Sequence, residues 1–247
     1  MNFKIHTSPT EEELEQIKNW LISEKNTEGH SFICNWETAI NRYRNKESKL
    51  FSFNIGNKVV GFVSYTEFKS EKCKTIEIDY FVIEQSYRNN GIGKAFYSKL
   101  DQKFRKLGFI VAKLFCMPQE SENFWRKMGY IEFPREFYSE TVTYKIHELS
   151  YYKPLIDIQF PNENIDDENV LKLWAKRPEN VNENDDANWV WQINESGDLE
   201  KPIIFPRQPD WKICWKRNGT IVKDKKVKHF GNQVNVGGFF YITKLDE

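Results

Sequence analysis

The chain has little histidine, cysteine or methionine: four His, four Cys and three Met among 247 residues. Cys34, Cys73, Cys116 and Cys214 are scattered, none forms C-x-x-C, and no His stands close enough in sequence to suggest zinc. No metal site is expected, and reduced thiols are the plain reading. His6, His30, His147 and His229 are isolated, so no Ser/His/Asp or Cys/His arrangement can be argued from spacing. Net charge is absent too: 36 Lys and Arg balance 36 Asp and Glu. No global field steers the chain to nucleic acid or to an anionic membrane. No run approaches the roughly 18 apolar residues of a membrane span. The start, Met-Asn-Phe-Lys-Ile-His, lacks the apolar core of a signal peptide. A cytoplasmic protein with no membrane partner is expected, and nucleic acid is not expected as a partner.

Aromatic residues are plentiful, at 15% with eight Trp, which points to dense packing or to stacking surfaces. Residues 3–6 read as a short strand. Ser8, Pro9 and Glu11 suggest a helix start with Ser8 as N-cap, and Leu14, Ile17, Trp20 and Leu21 recur at helical spacing to about residue 24. A second helix is expected over residues 36–43. Residues 50–55 and 59–66, separated by Gly56-Asn57, read as a hairpin. Residues 75–83 form the next strand. A helix over 92–107 would pack through Phe96, Leu100, Phe104 and Leu107, with Gly108 as its cap. A strand over 109–116, a short helix ending at Gly129, and strands over 130–133 and 141–147 complete the pattern.

Arg88-Asn89-Asn90-Gly91-Ile92-Gly93 joins an apolar strand to a helix N-terminus. The first N–H groups of a helix lack internal acceptors and carry partial positive charge, so this is an anion site. Glycines let a phosphate approach the backbone. A Walker A loop is excluded, because position 88 is Arg and position 95 is Ala. A dinucleotide fingerprint is excluded, because its third glycine would fall at Phe96. What remains is R-x-x-G-x-G, and with residues 81–87 before it the segment resembles the acetyl-CoA pyrophosphate motif of the GNAT N-acetyltransferase superfamily. Downstream, Phe124-Trp125-Arg126-Lys127-Met128-Gly129-Tyr130 is similar to the family's F-Y-x-K-x-G-F segment.

That resemblance covers residues 1–149. It implies an α+β fold, a mixed, twisted α/β sheet with helices on both faces, and acetyl-CoA as co-substrate. The implied reaction is direct attack of a deprotonated primary amine on the thioester in a ternary complex. The turn would hold the pyrophosphate through Arg88, Asn89, Asn90, Gly91, Ile92, Gly93 and Lys94, with main-chain donors from Tyr87 onward. Val82 and Ile83 would pair with pantetheine. Trp125, where the family has Tyr, would lie against the cofactor. The chain departs from the family there and at Pro118, where Asn is usual. An indole cannot serve as a general acid. Ser121, Tyr130, Cys116 or water would have to protonate the leaving thiolate.

Glu77 and Asp79 are two apart on one strand and share a face. Glu77 falls where some family members place a glutamate base and is the first candidate, with Asp79 the second. Glu84 is a third carboxylate near the acetyl position. The plain alternative is that these are solvated strand positions.

Residues 150–247 read as a second, β-rich domain with no recognised family and an unknown role. Residues 161–187 are rich in Asn, Asp and Glu around a helical piece at 170–174. Strands are expected over 189–193, 203–205, 211–215, 220–222, 233–236 and 239–245. Trp189 with Trp191, and Trp211 with Trp215, would share faces and form a satellite core. A stacking platform for a ring-bearing ligand is the alternative. Lys212, Lys216, Arg217, Lys223, Lys225, Lys226 and Lys228 form a basic cluster that the acidic segment can neutralise. The reading for the whole chain is an N-acetyltransferase acting on a small-molecule or peptide amine, with a second copy of the chain as a candidate partner. Alternatives are a catalytically weak acyl-CoA-binding interaction protein, or a protein- or RNA-amine acetyltransferase that docks through its C-terminal domain.

Overall fold

The computed structural model describes residues 3–28, 35–117, 119–138, 149–162, 167–231 and 233–245. Pro118, Cys34, His30 and the strand expected over 141–147, with His147, lie outside these residues. The chain divides into two compact units. The first comprises Met1–Lys69, Lys74–Glu132 and His147–Leu155; the second comprises Ser70–Cys73, Phe133–Ile146 and Ile156–Glu247.

The first unit is built on one seven-stranded sheet. Its strands are β1 (Phe3–His6), β2 (Lys49–Ile55), β3 (Lys58–Lys69), β4 (Lys74–Ile83), β5 (Val111–Cys116), β6 (Ile131–Glu132) and β7 (Leu149–Pro154), in the order β1-β2-β3-β4-β5-β7-β6. Every neighbouring pair is antiparallel except β4 and β5. Strand β7 begins at the expected domain boundary and reaches past it, because Tyr151 and Tyr152 are needed to pair with Leu114 and Lys113. The last stretch of the first unit accordingly ends at Leu155.

Helices α1 (Glu11–Glu28) and α2 (Trp36–Arg44) cover one face of the sheet. They bury Leu14, Ile17 and Ile40 against Leu50, Phe62 and Val82. The N-cap of α1 is Thr10, not Ser8. Thr10 Oγ1 accepts from the Glu13 N–H at 3.2 Å, and Glu13 Oε2 accepts from the Thr10 N–H at 2.9 Å. This reciprocal capping box satisfies two orphan donors at once, and the other Glu13 oxygen meets Asn54 and His6, partners that Glu11 in the same role would not have. Helices α3 (Ile92–Lys106) and α4 (Glu122–Lys127) cover the other face. Phe96, Tyr97, Leu100 and Phe104 recur at the helical period and are fully buried, each contributing about 1.5–3 kcal/mol. Leu107, expected in that stripe, is the exposed C-cap, and Gly108 follows it at φ +78°.

The second unit has two antiparallel sheets. One is β12-β11-β8-β9, from β12 (Thr220–Lys226), β11 (Lys212–Arg217), β8 (Val170–Trp174) and β9 (Trp189–Gln192); the other is β10-β14-β13, from β10 (Asp198–Pro206), β14 (Phe239–Lys244) and β13 (Val234–Val236). Residues 170–174 are a strand, not the expected helical piece. Five residues cannot bury Val170, Leu171, Leu173 and Trp174 on one helical stripe, but as a strand they pair with β11 and β9 and bury both faces. Both sheets feed one core containing Leu171, Trp191, Phe205, Ile213, Trp215 and Phe240.

Candidate functional site

The site begins where β4 and β5 part. They pair only from Thr75 opposite Val111 to Ile78 opposite Leu114. Beyond that point β4 stays with β3 and β5 stays with β7, so a wedge opens. The parting coincides with a bulge: Tyr65 faces Ile78 and Ser64 faces Tyr80, leaving Asp79 as the extra residue of β4. The Glu84 N–H donates to Val60 O at 2.9 Å, and Gly61 faces Ile83. The alternation of an antiparallel ladder then gives the Val82 amide to Phe62 and turns the N–H groups of Phe81 and Ile83 into the wedge. Of the two strand residues expected to meet pantetheine, Ile83 has the free edge and Val82 does not.

The turn follows directly. The N–H groups of Tyr87 and Arg88 donate to Glu84 O at 2.9 Å and Gln85 O at 3.0 Å, so these two amides are already used. Asn89 and Gly91 have left-handed backbones, at φ +60° and +74°. The first bond inside α3 runs from the Ala95 N–H to Gly91 O at 3.0 Å. The N–H groups of Ile92, Gly93 and Lys94 therefore have no acceptor within the helix. They open beside Asn89, Asn90, Gly91 and the Lys94 side chain, all solvent-exposed. A Cβ on Gly93 would come within 3.6 Å of Ile83 and 3.7 Å of Phe124. The chemistry of this donor set fits a phosphate.

Arg88 is placed otherwise than expected. Its Nε donates to Ile83 O at 2.8 Å, and its Nη2 pairs with Glu24 of α1 at 2.5 Å. Glu24 Oε1 also accepts from the Gln85 N–H at 2.6 Å. Arg88 thus ties the end of β4 and the turn to α1. Glu24 was missed in the sequence because it lies 64 residues away.

The second landmark is also rearranged. Trp125 is only 7% exposed and packs edge-on against Phe81, Tyr97 and Tyr130. It packs as a core residue. Tyr130 is buried as well, its oxygen accepting from the Tyr97 hydroxyl at 3.0 Å, and burial pushes both phenols well above their ordinary range. Both phenols are therefore held in the protonated form inside the core. Ser121 lies at the start of α4, with its Oγ 3.2 Å from the buried Cys116 Sγ. Phe124, whose ring stacks on Phe81 at 5.8 Å, is the residue of this segment nearest Gly93.

The carboxylates share a face, as the spacing indicates. Glu77 is paired with Lys113 at 2.8 Å. Asp79 accepts from Arg42 Nη1 at 3.2 Å and from Thr66 Oγ1 at 3.0 Å, while Arg42 Nη2 donates to Thr66 at 2.7 Å. Burial raises the Asp79 carboxyl above its usual range, and Arg42 and Thr66 only partly oppose it. Glu84 is held by Lys58 at 3.0 Å. Arg42 and Thr66 carried no sequence signal, because they meet Asp79 only through the α2 and β3 packing. Among the described residues, no group of three or more His, Cys, Asp or Glu is gathered as a metal would require.

In the second unit, Trp191, Trp211 and Trp215 are buried, and Trp189 stacks on Trp211 at 5.2 Å, so the tryptophans are core. Lys212 pairs with Asp224, Lys216 and Lys172 with Asp167, Lys226 with Glu179, and Lys228 with Asp210. Much of the basic cluster is therefore internally neutralised.

A mixed sheet whose one parallel pair splays open beside a glycine turn and a helix N-terminus is the GNAT acyltransferase fold. Residues 14–130 match the family model described as the acetyltransferase (GNAT) family, and that stretch is a GNAT acetyltransferase domain. No curated protein matches the sequence. Among solved structures, a GNAT-family acetyltransferase from Staphylococcus aureus Mu50 is 16% identical, with 63% of this chain and 100% of that chain covered at a TM-score of 0.47. The ribosomal-protein-S18-alanine N-acetyltransferase from Escherichia coli is 15% identical, with 67% and 99% covered at 0.47. The GNAT family N-acetyltransferase YhbS from Escherichia coli, solved with CoA, is 9% identical, with 63% and 83% covered at 0.48. Likenesses of this size say nothing about substrate.

Proposed function

We propose that the first unit transfers an acetyl group from acetyl-CoA to a primary amine by direct attack, with the turn from Asn89 to Lys94 holding the pyrophosphate. The observation that carries this reading is the conjunction of the open β4 edge, the unused amides of Ile92, Gly93 and Lys94, and a desolvated carboxylate at the bulge. Acetyl-CoA supplies an activated acyl carbon: the amine nitrogen bonds to it, the C–S bond breaks, and the amine proton leaves. The Ile83 N–H lines the wedge and orients the pantetheine arm. Lys94 adds positive charge beside the phosphates. Arg88 and Glu24 hold the turn in place.

Asp79 is the base in this reading, ahead of Glu77. Its raised pKa makes it the stronger proton acceptor, and it stands at the mouth of the wedge, whereas Glu77 lies on the paired part of β4 against Lys113. Thr66 and Arg42 orient its two oxygens. The leaving thiolate takes its proton from water, since an ordinary thiol titrates at about 8.5. The test is the pH profile of kcat/KM. Asp79 is ionised only above its raised pKa, so activity rises with pH through an acid limb, and Asp79→Asn removes that limb and lowers the rate by about 10²–10⁴-fold. An unchanged rate and limb in Asp79→Asn would return the role to Glu77 or to solvent.

A further inference from the structure

The lip of the wedge opposite Asp79 is aromatic and open. Ile78 and Leu114 are the last paired residues of β4 and β5, so Asp79 and Phe115 stand next on either side of the opening. Phe115 is on the same sheet face as the carboxylates: the Lys113 ammonium pairs with Glu77 and lies 5.7 Å from the Phe115 ring centroid. Ala112, Leu114 and Cys116 point to the other face, into the α3 core. Phe115 is nevertheless 47% exposed, and Met117 just beyond it is 62% exposed. Large apolar side chains left open beside a reaction centre mark a contact for an apolar ligand.

The charge on this face narrows the ligand. Glu77 is matched by Lys113 and Asp79 by Arg42. These two carboxylates already have their cations, so between them they offer no excess negative charge to gather a polycation. A single ammonium can be accommodated at Asp79, whose desolvated carboxylate gains from one hydrogen-bonding donor. Resting on the proposed acetyl transfer, we infer that the acceptor is a monoamine with an aromatic or aliphatic body, whose ring lies on Phe115 while its nitrogen meets Asp79. Polyamines and aminoglycosides do not fit this lip. The amide product would have no charge, and the Asp79–Arg42 pair would be restored once the proton passes to solvent.

The experiment compares 2-phenylethylamine with spermidine in a thiol-release assay on the full chain, alongside calorimetric titration with acetyl-CoA. Phenylethylamine is expected to show a kcat/KM at least about tenfold above that of spermidine. Phe115→Ser should raise KM for phenylethylamine about tenfold with little change in kcat, the order expected for loss of one aromatic contact with its buried area. Phe115→Leu should recover part of it. Acetyl-CoA affinity of each variant reports that it is folded. If acetyl-CoA binds but spermidine is the better acceptor, if neither amine reacts, or if Phe115→Ser leaves the phenylethylamine KM unchanged, the inference is overturned and the acetyl-CoA site stands. If acetyl-CoA does not bind to the wild-type chain, the functional reading itself falls and takes the inference with it.

Discussion

Adding one methyl group at Gly61 should disturb the wedge from behind. A Cβ at this position would lie 2.5 Å from Val82 O, 2.8 Å from Ile83 Cδ1 and 3.1 Å from Phe53 Cδ2. Even weak C–H···O contacts between strands run to about 3.3–3.6 Å, so the first approach is roughly 0.8 Å too short. Ile83 Cδ1 can rotate away. Val82 O cannot, because it is fixed in the ladder with Phe62, so β4 itself must move. Overpacking of this kind costs about 1–3 kcal/mol. The lower chain entropy of Ala in the unfolded state returns about 0.4–1 kcal/mol. A net loss of about 1–2 kcal/mol remains for Gly61→Ala. Hydrogen exchange should show it as a roughly tenfold drop in protection of the β3 and β4 amides. Acetyl-CoA affinity should fall as well, by up to about tenfold, because the Ile83 N–H moves with the strand. Gly93→Ala is the contrast: its Cβ meets Ile83 and Phe124 only at ordinary distances, so its protection should be unchanged. Unaltered exchange and affinity in Gly61→Ala would refute the claim that close β3–β4 packing sets the open edge.

Glu24→Gln keeps an acceptor for the Gln85 N–H but removes the charge that holds Arg88, and should weaken acetyl-CoA binding a few-fold by calorimetry, the scale of about 0.5–1 kcal/mol for a partly exposed pair. Glu13→Ala should cost about 1–2 kcal/mol near neutral pH in urea unfolding, because it removes the α1 capping box and the acceptor of Asn54 and His6. Burial alone would raise the Glu13 pKa, but the Thr10 N–H, Asn54 and His6 together bring it below its usual value. Its contribution is therefore complete above the unfolded carboxylate pKa of about 4.3 and is lost as pH falls through the lower folded value. The wild-type advantage over Glu13→Ala should shrink in that acid window.

Residues 1–133 were largely legible because their hydrophobic periods agree with the elements they form. The Ile92–Lys106 helix, the Gly56-Asn57 hairpin and the glycine turn each announce themselves locally. The errors have physical causes. Ser8 and Thr10 are both fair N-caps by type and each has a Glu three residues on, so the choice falls to the contacts of Glu13 with Asn54 and His6, which the local run does not carry. Residues 170–174 are too short for their period to separate strand from helix, and the pairing with β11 decides. The site was half legible. The backbone donors follow from glycine and helix geometry, which sequence carries. The orientation of Arg88, the burial of Trp125 and Tyr130, and the Arg42–Thr66–Asp79 network arise from contacts between distant elements, which it does not. The bulge at Asp79 is likewise a property of the register against β3, not of the local run.

The measurement that bears most directly on the central claim is calorimetric titration of the whole chain with acetyl-CoA, with free CoA and NADH as controls and Gly91→Glu as the comparison. Micromolar binding of the CoA species but not NADH, lost in Gly91→Glu, is the expected result, since position 91 needs a left-handed backbone and a carboxylate there would repel the phosphates. No heat with acetyl-CoA, or affinity unchanged in Gly91→Glu, would mean that the turn from Asn89 to Lys94 only connects a strand to a helix.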